Sequence, residues 1–179
     1  LFYPEGSMSI FTDTSNKKLS RSVALIAIIS SMKKINYKNW WQDAFIRGRY
    51  PLVELTSDKI WRAKTKKQVQ FLLKTLKLPQ GAKILDLACG AGRHSIALAR
   101  HGYKVTGLDI SPVYLAHAKK MSDGIKNSIT WIHRDMRRMP FKNSFDAALN
   151  LFTSFGYFPK ASDDLLVLRR IYRALKQDG

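Results

Sequence analysis

The stretch ILDLACGAGRHSIALA, residues 84–99, constrains the fold of this chain more than any other part of the sequence. It begins with a short apolar run typical of a buried strand and ends with the apolar spacing of a helix. Gly90 and Gly92 lie between the two, where a missing side chain allows a tight turn or the close approach of a ligand to the backbone. The stretch therefore predicts a strand, a glycine-rich turn and a helix. The turn is either a simple connection or the floor of a cofactor site.

Strands and helices alternate along the chain after residue 56. The predicted strands are 84–87, a strand ending at Asp109, 128–133 and 145–151, and the predicted helices are 57–78, 94–100, one beginning at Ser111–Pro112, and 162–175. Short strands that alternate with helices form βαβ units, whose parallel sheet is covered on both faces. The sequence thus predicts an α/β fold with a doubly wound, mostly parallel sheet.

The composition is that of a globular protein with a strongly basic surface. Apolar residues make up 45% of the chain, which excludes a disordered protein. The single cysteine, Cys89, excludes a disulfide framework and favours the reducing cytoplasm. The net charge is +18, and the excess is densest in residues 32–78, with twelve Lys or Arg against three Asp or Glu. This charge suits nucleic acid, an anionic membrane or an acidic substrate, or is only a soluble basic surface.

The chain divides into three predicted segments. Residues 1–31 have no helical or strand period, and their apolar run, 23–29, is too short to span a membrane, so we expect no membrane partner. We interpret 1–31 as disordered sequence upstream of a natural start at Met32, or added to it. Residues 32–78 are expected to form an N-terminal helical segment that covers the substrate, and residues 79–179 the N-terminal portion of a ligand-binding domain.

Polar residues follow four consecutive predicted strands. They are the loop from Asp86 to Gly92, then Asp109, Asp135 and Asn150. Because ligands of open parallel sheets bind beyond the carboxyl ends of the strands, these residues predict a ligand crevice at that edge.

The glycine loop itself narrows the class of ligand. It is not a dinucleotide fingerprint, because Ser95 stands where the third glycine is required, and GRHS is not the Gly-Lys-Ser/Thr of a phosphate-binding loop. Asp86 would repel a pyrophosphate and suits a cationic, amino-bearing ligand. Asp109, nineteen residues after Gly90, suits a carboxylate that accepts hydrogen bonds from ribose hydroxyls.

These motifs resemble those of class I S-adenosylmethionine-dependent methyltransferases. ILDLACGAGRHS is similar to their first motif, VTGLDIS to the second, HRDMRRMPF to the third and FDAALNLFTSFGYF to the fourth, in family order from about residue 60 to 179. Within the family the chain most resembles small-molecule methyltransferase domains. The resemblance implies the Rossmann-like methyltransferase fold and S-adenosylmethionine as cofactor. The family sheet usually has seven strands, so we expect an incomplete, C-terminally truncated sheet containing strands 1–4 only.

The resemblance also implies roles for the residues around the first motif. Gly90 and Gly92 would let the backbone approach the methionine portion of the cofactor. Asp86 would lie near the ammonium of that portion, and Arg93 near its carboxylate. Ala88 replaces a family glycine, a change that we expect to be mild because its methyl group can face the core.

The later motifs would bind the adenosine portion of the cofactor. Asp109 would hold the ribose, with Ile110 against the adenine; Asp135 would accept from the adenine amino group, and Met136 would cover the ring. The cofactor-binding residues that we expect are Asp86, Ala88, Gly90, Gly92, Arg93, Asp109, Ile110, Asp135, Met136 and Asn150.

The segment after the fourth strand is expected to face the methyl acceptor. Phe152, Ser154 and Tyr157 are the predicted substrate-binding residues, with Thr153 beside them. His94 and His133 are possible bases, although each is more often a packing or surface residue. The sequence assigns no catalytic residue, no metal site and no oligomeric state.

Three functions remain open. We expect methyl transfer to a small-molecule acceptor in the cytoplasm. RNA methylation is an alternative, but NLFT replaces the Asn/Asp-Pro-Pro-aromatic motif of amino-group base methyltransferases, and no cysteine lies there for a cytosine-C5 enzyme. The third is a non-catalytic, basic nucleic-acid-binding module that retains the fold. Nucleic acid is therefore a possible partner but not the favoured one.

Overall fold

The computed structural model describes residues 9–11, 25–27, 41–46, 50–51, 59–152, 154–177 and 179. The strands are β1 (Ser9–Phe11), β2 (Leu25–Ala27), β3 (Lys83–Leu87), β4 (Lys104–Asp109), β5 (Ile129–His133) and β6 (Ala147–Asn150). The α-helices are α1 (Lys59–Leu76), α2 (Arg93–Arg100), α3 (Pro112–Met121) and α4 (Ala161–Ala174). Short 3₁₀ turns cover Asp123–Ser128 and Met136–Arg138, and a π-helical turn covers Gln42–Ile46.

The predicted helices form within one or two residues of their expected bounds. The Ser111 side chain caps α3 by accepting a hydrogen bond from the Tyr114 N–H at 3.3 Å, and Pro112 opens the helix as expected. α1 ends at Leu76, three residues before Pro79, which cannot continue a helix. The sequence offers Ser57 or Thr56 as the N-cap of α1, and both residues lie outside the described part of the chain.

The four strands β3 to β6 form the predicted parallel sheet, in the order β5-β4-β3-β6. β3 lies between β4 and β6. From β3 the chain forms β4 and β5 on one side, and it then crosses to form β6 on the other side. That reversal opens a crevice at the carboxyl end of β3, the usual ligand position in such sheets. Leu87 of β3 pairs there with Asn150 of β6 and with Leu108 of β4, which brings the ends of three strands together.

Helices cover both faces of the sheet, and each face has its own apolar core. One core holds Val69 and Leu72 of α1 with Leu98 of α2 and residues of every strand in the sheet. The other packs Val167 and Ile171 of α4 against the opposite face. Neighbouring residues of one strand enter different cores because side chains alternate along a strand. No helix among the described residues is long and apolar enough to cross a membrane.

Segments before α1 lie against this body. The Tyr114 hydroxyl donates to the Tyr50 carbonyl at 2.8 Å, and Trp41 meets Phe158 edge to face with ring centroids 5.8 Å apart. Within residues 1–31, where the sequence predicts no regular structure, β1 and β2 pair antiparallel. The division into segments 1–31, 32–78 and 79–179 stays a prediction.

Trp131 of β5 fills the space that Gly107 of β4 leaves open. A Cβ at Gly107 would lie 2.6 Å from the Trp131 Cε3 and 3.0 Å from the Cys89 Sγ, whereas a Cβ at Gly124 would meet nothing within 4 Å. The Trp131 indole N–H donates to the Ser122 hydroxyl at 3.1 Å, which holds the ring in place. Trp131 therefore allows no side chain at residue 107.

We expect Gly107→Ala to lower the free energy of unfolding by about 1–3 kcal/mol, the usual cost of overpacking a core. Urea denaturation measures it, with Gly124→Ala as the matched control, expected to change stability by much less. Adding Trp131→Leu should reduce the cost of Gly107→Ala, because the smaller side chain leaves room for the methyl group. Equal costs for the two alanine variants would contradict this packing.

Candidate cofactor and acceptor site

The glycine loop, residues 88–92, connects β3 to α2 at the carboxyl edge of the sheet. Gly90 has φ 56° and Gly92 has φ 76°, a left-handed conformation that favours glycine. A Cβ on Gly92 would overlap the Trp131 ring and lie 3.0 Å from the Ala118 Cβ. Packing from behind the loop therefore already excludes a side chain at Gly92, independently of any ligand.

Ala88 departs from the expected behaviour. It is half-buried and has φ 53°, a left-handed conformation that costs an alanine roughly 1–2 kcal/mol because its Cβ crowds the following carbonyl oxygen. The expectation that the replacement of glycine is mild is wrong, since the cost arises in the backbone wherever the methyl group points.

Asp86 is an acid in the interior of the protein. Its side chain is buried, and its Oδ2 accepts a hydrogen bond of 2.5 Å from the Ser95 hydroxyl of α2. Burial raises the pKa of Asp86 to about 6, with a further contribution from Asp109, while Ser95 and Arg93 oppose the rise. A cationic group bound beside Asp86 would stabilise its charged form.

Asp109 ties the glycine loop to the next βα unit. Its Oδ2 accepts from the Gly90 N–H at 2.7 Å, and its Oδ1 accepts from the Ser111 N–H at 2.8 Å. Burial raises the pKa of Asp109 although these backbone hydrogen bonds oppose the rise. Each carboxylate oxygen can accept more than one hydrogen bond, so acceptor capacity remains for a ligand. Ile110, half-buried, follows directly after this carboxylate.

Cys89 of the loop packs beside Gly107 of β4. Burial, together with the charges of Asp86 and Asp109, raises the pKa of the Cys89 thiol well above its ordinary value. The thiol stays protonated, and a protonated thiol is a poor nucleophile.

Arg93, the first residue of α2, is not the solvated residue that is common at a helix start. Its Nη1 donates to the Thr65 hydroxyl at 2.7 Å and to the Gln68 Oε1 at 2.8 Å, both on α1. His94, the next residue, is buried, and burial together with the Arg93 charge lowers the pKa of its imidazole well below 6.5.

Asp135 and Asn150 lie at the same edge of the sheet but differ in their partners. Burial would raise the pKa of Asp135, yet the hydrogen bonds and charge of Arg137 hold it below its ordinary value. The Asn150 amide is buried, and its Oδ1 has no hydrogen-bond partner among the described residues. The Asn150 Nδ2 lies 3.9 Å from the Met136 sulfur, so the third and fourth motifs meet there.

The predicted acceptor residues lie on the loop after β6. Phe152 is next to Arg93 and His94, the Ser154 hydroxyl donates to the Leu151 carbonyl at 3.2 Å, and Tyr157 stacks on Phe45 with centroids 5.7 Å apart. Phe152 and Tyr157 therefore contact different parts of the molecule: Phe152 contacts α2, and Tyr157 contacts the segment before α1. Thr153 lies outside the described residues.

His133, the other candidate base, lies away from this loop. It is exposed at the end of β5, and its Nε2 lies 2.9 Å from the Ile110 carbonyl oxygen. A carbonyl oxygen can only accept, so the His133 Nε2 donates this hydrogen bond.

Sequence reasoning missed several residues that hold the site together. Trp131 supports the loop from behind, Ser95 binds Asp86, Gln68 binds Arg93, and Arg137 bridges Asp135 and Asp163 at 2.6 and 2.9 Å. Ser95 could have been found, because a serine that replaces a glycine beside a buried acid gives it a hydrogen-bond donor. The others depend on pairs that are far apart in the chain.

A parallel sheet in this order, with a glycine loop after β3 and an acid at the end of β4, defines a Rossmann-like protein with a nucleotide-type ligand site. Residues 84–179 match the family described as a methyltransferase domain, which is more than half of the chain. The chain therefore belongs to the methyltransferase-domain family, and S-adenosylmethionine is the cofactor of that family.

Two relatives that are similar to this chain are methyltransferases by name. Glycine/sarcosine N-methyltransferase of Aphanothece halophytica is 29% identical over 146 residues, 80% of this chain and 53% of the relative. Demethylmenaquinone methyltransferase of Staphylococcus haemolyticus is 31% identical over 134 residues, 72% of this chain and 50% of the relative. The chain thus spans about half the length of these relatives.

A solved structure that is similar to this chain is magnesium protoporphyrin IX methyltransferase of Synechocystis with bound SAH. It has a TM-score of 0.61 and 20% identity, with 77% of this chain and 68% of that chain covered. This likeness shows the shared fold.

The backbone of Ala88 generates a stability prediction. Ala88→Gly relieves the left-handed conformation, and after the entropic cost of glycine we expect the free energy of unfolding to rise by about 0.5–1 kcal/mol. Ala91→Gly in the same loop, where φ is not positive, is the matched control and should lower it. Urea denaturation of both variants measures the difference, and changes of the same sign would contradict the strain at Ala88.

The raised pKa of Asp86 generates a pH prediction. The folded protein keeps Asp86 protonated up to pH about 6, whereas the unfolded chain loses that proton near 3.8. Between these values the folded state holds more protons than the unfolded chain. The contribution of Asp86 to the free energy of unfolding therefore falls as pH rises, by about 1.4 kcal/mol per pH unit.

In the wild-type protein, Asp86 should make the free energy of unfolding fall as pH rises from 4 to 6. We therefore expect Asp86→Asn to remove this part of the fall, measured by urea denaturation across that range. Asp146→Asn is the control. Burial would raise the pKa of Asp146, but Lys176 holds it below its ordinary value, so its titration lies below this window. Parallel stability curves for the wild-type protein and Asp86→Asn would overturn the assignment.

Proposed function

We propose that this chain contributes to an enzyme that transfers a methyl group from S-adenosylmethionine to a small-molecule acceptor. The observation that carries the proposal is a buried acid and a buried, unpaired amide oxygen that lie at the carboxyl edge of the sheet. Asp86 is a buried acid with a raised pKa, and the Asn150 Oδ1 is buried without a partner among the described residues. Such groups are costly unless a ligand satisfies them.

The residues present fit S-adenosylmethionine. Its methionine portion carries an ammonium that suits Asp86 and a carboxylate that suits Arg93, while the loop glycines allow close approach of the backbone. The cofactor-binding set that we propose is Asp86, Ala88, Gly90, Gly92, Arg93, Asp109, Ile110, Asp135, Met136 and Asn150. The Asp135 carboxylate would accept a hydrogen bond from the adenine amino group while it pairs with Arg137. A carboxylate has several acceptor sites and can make both contacts.

S-adenosylmethionine supplies, when bound, a methyl group that its positively charged sulfur already activates. The residues of the chain then have to orient the acceptor and exclude water. We propose that Phe152, Ser154 and Tyr157 do so, with aromatic walls and two hydroxyl groups. No described side chain is assigned as a general base. His94 is neutral, and its Nε2 lies 3.1 Å from the Gln68 Oε1. An amide oxygen only accepts, so the His94 Nε2 is the donor.

Residues 32–78 are proposed to cover the acceptor, and residues 79–179 to bind the cofactor. Phe45 stacks on Tyr157, and Tyr50 accepts from Tyr114 at the start of α3, so residues before α1 lie against the acceptor loop. Aromatic rings packed against the acceptor loop in this way would exclude water from a transferring methyl group.

A small-molecule acceptor is favoured over RNA by the relatives. Their names describe methyl transfer to glycine or sarcosine and to demethylmenaquinone. RNA remains the alternative because the solvated side of α1 carries exposed cations such as Arg62, Lys66 and Lys67.

Titration calorimetry with S-adenosylhomocysteine tests the cofactor half of the proposal. We expect a dissociation constant near micromolar, about −8 kcal/mol, and a loss of roughly 1–3 kcal/mol in Asp109→Ala, because hydrogen bonds to a charged group are removed. Asp146→Ala, an acid outside the site, is the control. Asp109 also holds the Gly90 N–H, so the same titrations with the 2′,3′-dideoxyribose analogue separate the two roles. A loss that persists undiminished for the analogue would remove Asp109 from the ribose site.

Transfer of a radiolabelled methyl group tests the acceptor half. We expect labelling of a small amine such as glycine or sarcosine, or of a demethylmenaquinone analogue, and none of RNA. Labelled RNA whose binding falls steeply with salt would replace the small-molecule proposal, because phosphate contacts release counterions. Cofactor binding without transfer to any of these acceptors would contradict the proposed acceptors.

A further inference from the structure

Arg93 lies where three elements of the molecule meet. It directly follows Gly92, the last residue of the glycine loop, and begins α2. Its side chain contacts α1 on one side and Phe152, two residues beyond β6, on the other. One guanidinium group therefore joins the proposed cofactor loop, the proposed cover and the proposed acceptor loop.

The contacts use both the hydrogen bonds and the flat face of the guanidinium. Nη1 donates to Thr65 and Gln68, one turn apart on α1. The guanidinium carbon lies 5.1 Å from the Trp61 ring centroid and 4.5 Å from that of Phe152, so aromatic rings of two elements contact the same cation. Lysine cannot reproduce this arrangement, since a single ammonium neither forks nor stacks.

Neighbouring residues reinforce the same junction. His94 contacts Gln68 through its Nε2 at 3.1 Å, and its ring lies 5.5 Å from that of Phe152. Phe152 has φ 63°, a left-handed conformation that is strained for a bulky residue and persists only where the surroundings hold it. Strained residues of this kind are concentrated at ligand clamps and switch regions.

The positive charge of Arg93 has no carboxylate partner within the described part of the chain. Its partners there are neutral oxygens and aromatic rings, and its Nε and Nη2 make no hydrogen bond to the described residues. Burial lowers the pKa of Arg93 to about 10, although Asp86 opposes the shift. A carboxylate supplied by a ligand would offset this cost and would use the N–H groups that remain.

We propose that Arg93 is a positioning residue that couples occupation of the cofactor site to the seating of α1 and the Phe152 loop. Nη1 clamps α1, and a ligand carboxylate bound by the remaining N–H groups strengthens the clamp. The inference rests on the proposed function for the identity of the ligand. It adds that cofactor binding orders α1 and the Phe152 loop through Arg93. The acceptor therefore binds to an ordered surface only after the cofactor has bound.

Hydrogen exchange of the α1 amides tests this coupling, with saturating S-adenosylhomocysteine or 5′-methylthioadenosine, which lacks the amino acid carboxylate. In the wild-type protein we expect S-adenosylhomocysteine to slow exchange of α1 by about 5-fold or more, the lower range of typical coupling between sites, and 5′-methylthioadenosine to have little effect. In Arg93→Gln, exchange of α1 should be faster without ligand, and neither ligand should slow it. Equal protection by the two ligands, or full protection by S-adenosylhomocysteine in Arg93→Gln, would overturn the coupling.

Further variants separate the clamp from general loss of structure. Gln68→Ala keeps Arg93 and should also abolish ligand-dependent protection of α1, whereas Lys67→Gln, an exposed neighbour on the same helix, should behave as the wild-type protein. Arg93→Lys should retain part of the affinity for S-adenosylhomocysteine but not the protection of α1. If protection of α1 survives in Gln68→Ala, the clamp is wrong.

Failure of the clamp and failure of the proposed function give different results. If S-adenosylhomocysteine binds by calorimetry but leaves α1 exchange unchanged, the coupling fails and the function stands. If no binding occurs, the proposed cofactor fails together with the ligand-dependent step. The clamp on α1 is then judged on the ligand-free comparison of the wild-type protein with Arg93→Gln and Gln68→Ala, and unchanged exchange there overturns it.

Discussion

The two hydrogen bonds that Asp109 accepts hold the candidate site together. One comes from Gly90 in the loop after β3 and the other from Ser111 at the start of α3, so one carboxylate links two consecutive βα units. Trp131 supports the same loop from behind by filling the space beside Gly92 and Gly107. Because the loop is held from both sides, its backbone can face a ligand in a fixed conformation.

Electrostatics at the carboxyl edge of the sheet are unbalanced in a way that suits a zwitterionic ligand. Asp86 and Asp109 are buried and each is harder to ionise than a solvated acid, while Arg93 is half-buried without a carboxylate partner among the described residues. An amino acid moiety carries one charge of each sign and could satisfy both kinds of group. The cost of burying these charges unpaired is the physical basis of the proposed function.

Much of the fold could be predicted because its signals are local. The apolar run before Gly90, the Ser111–Pro112 helix start and the alternation of strands with helices indicated the parallel sheet, and the structure confirmed it. The strain at Ala88 was not foreseen, since a sequence shows that a glycine is missing but not the φ angle at that residue. Cofactor contacts and the segment boundaries remain predictions.

The sequence by itself determined which residues stand at the ends of the strands, because the periods of two and 3.6 residues depend only on neighbours along the chain. Tertiary structure alone decided what those residues meet. Arg93 binds Thr65 and Gln68, which are 28 and 25 residues away, and Trp131 packs against Gly92, which no local pattern connects to it. Such pairs form only when helices and strands that are distant in the chain pack against one another, so they follow from the fold and not from any one stretch of sequence.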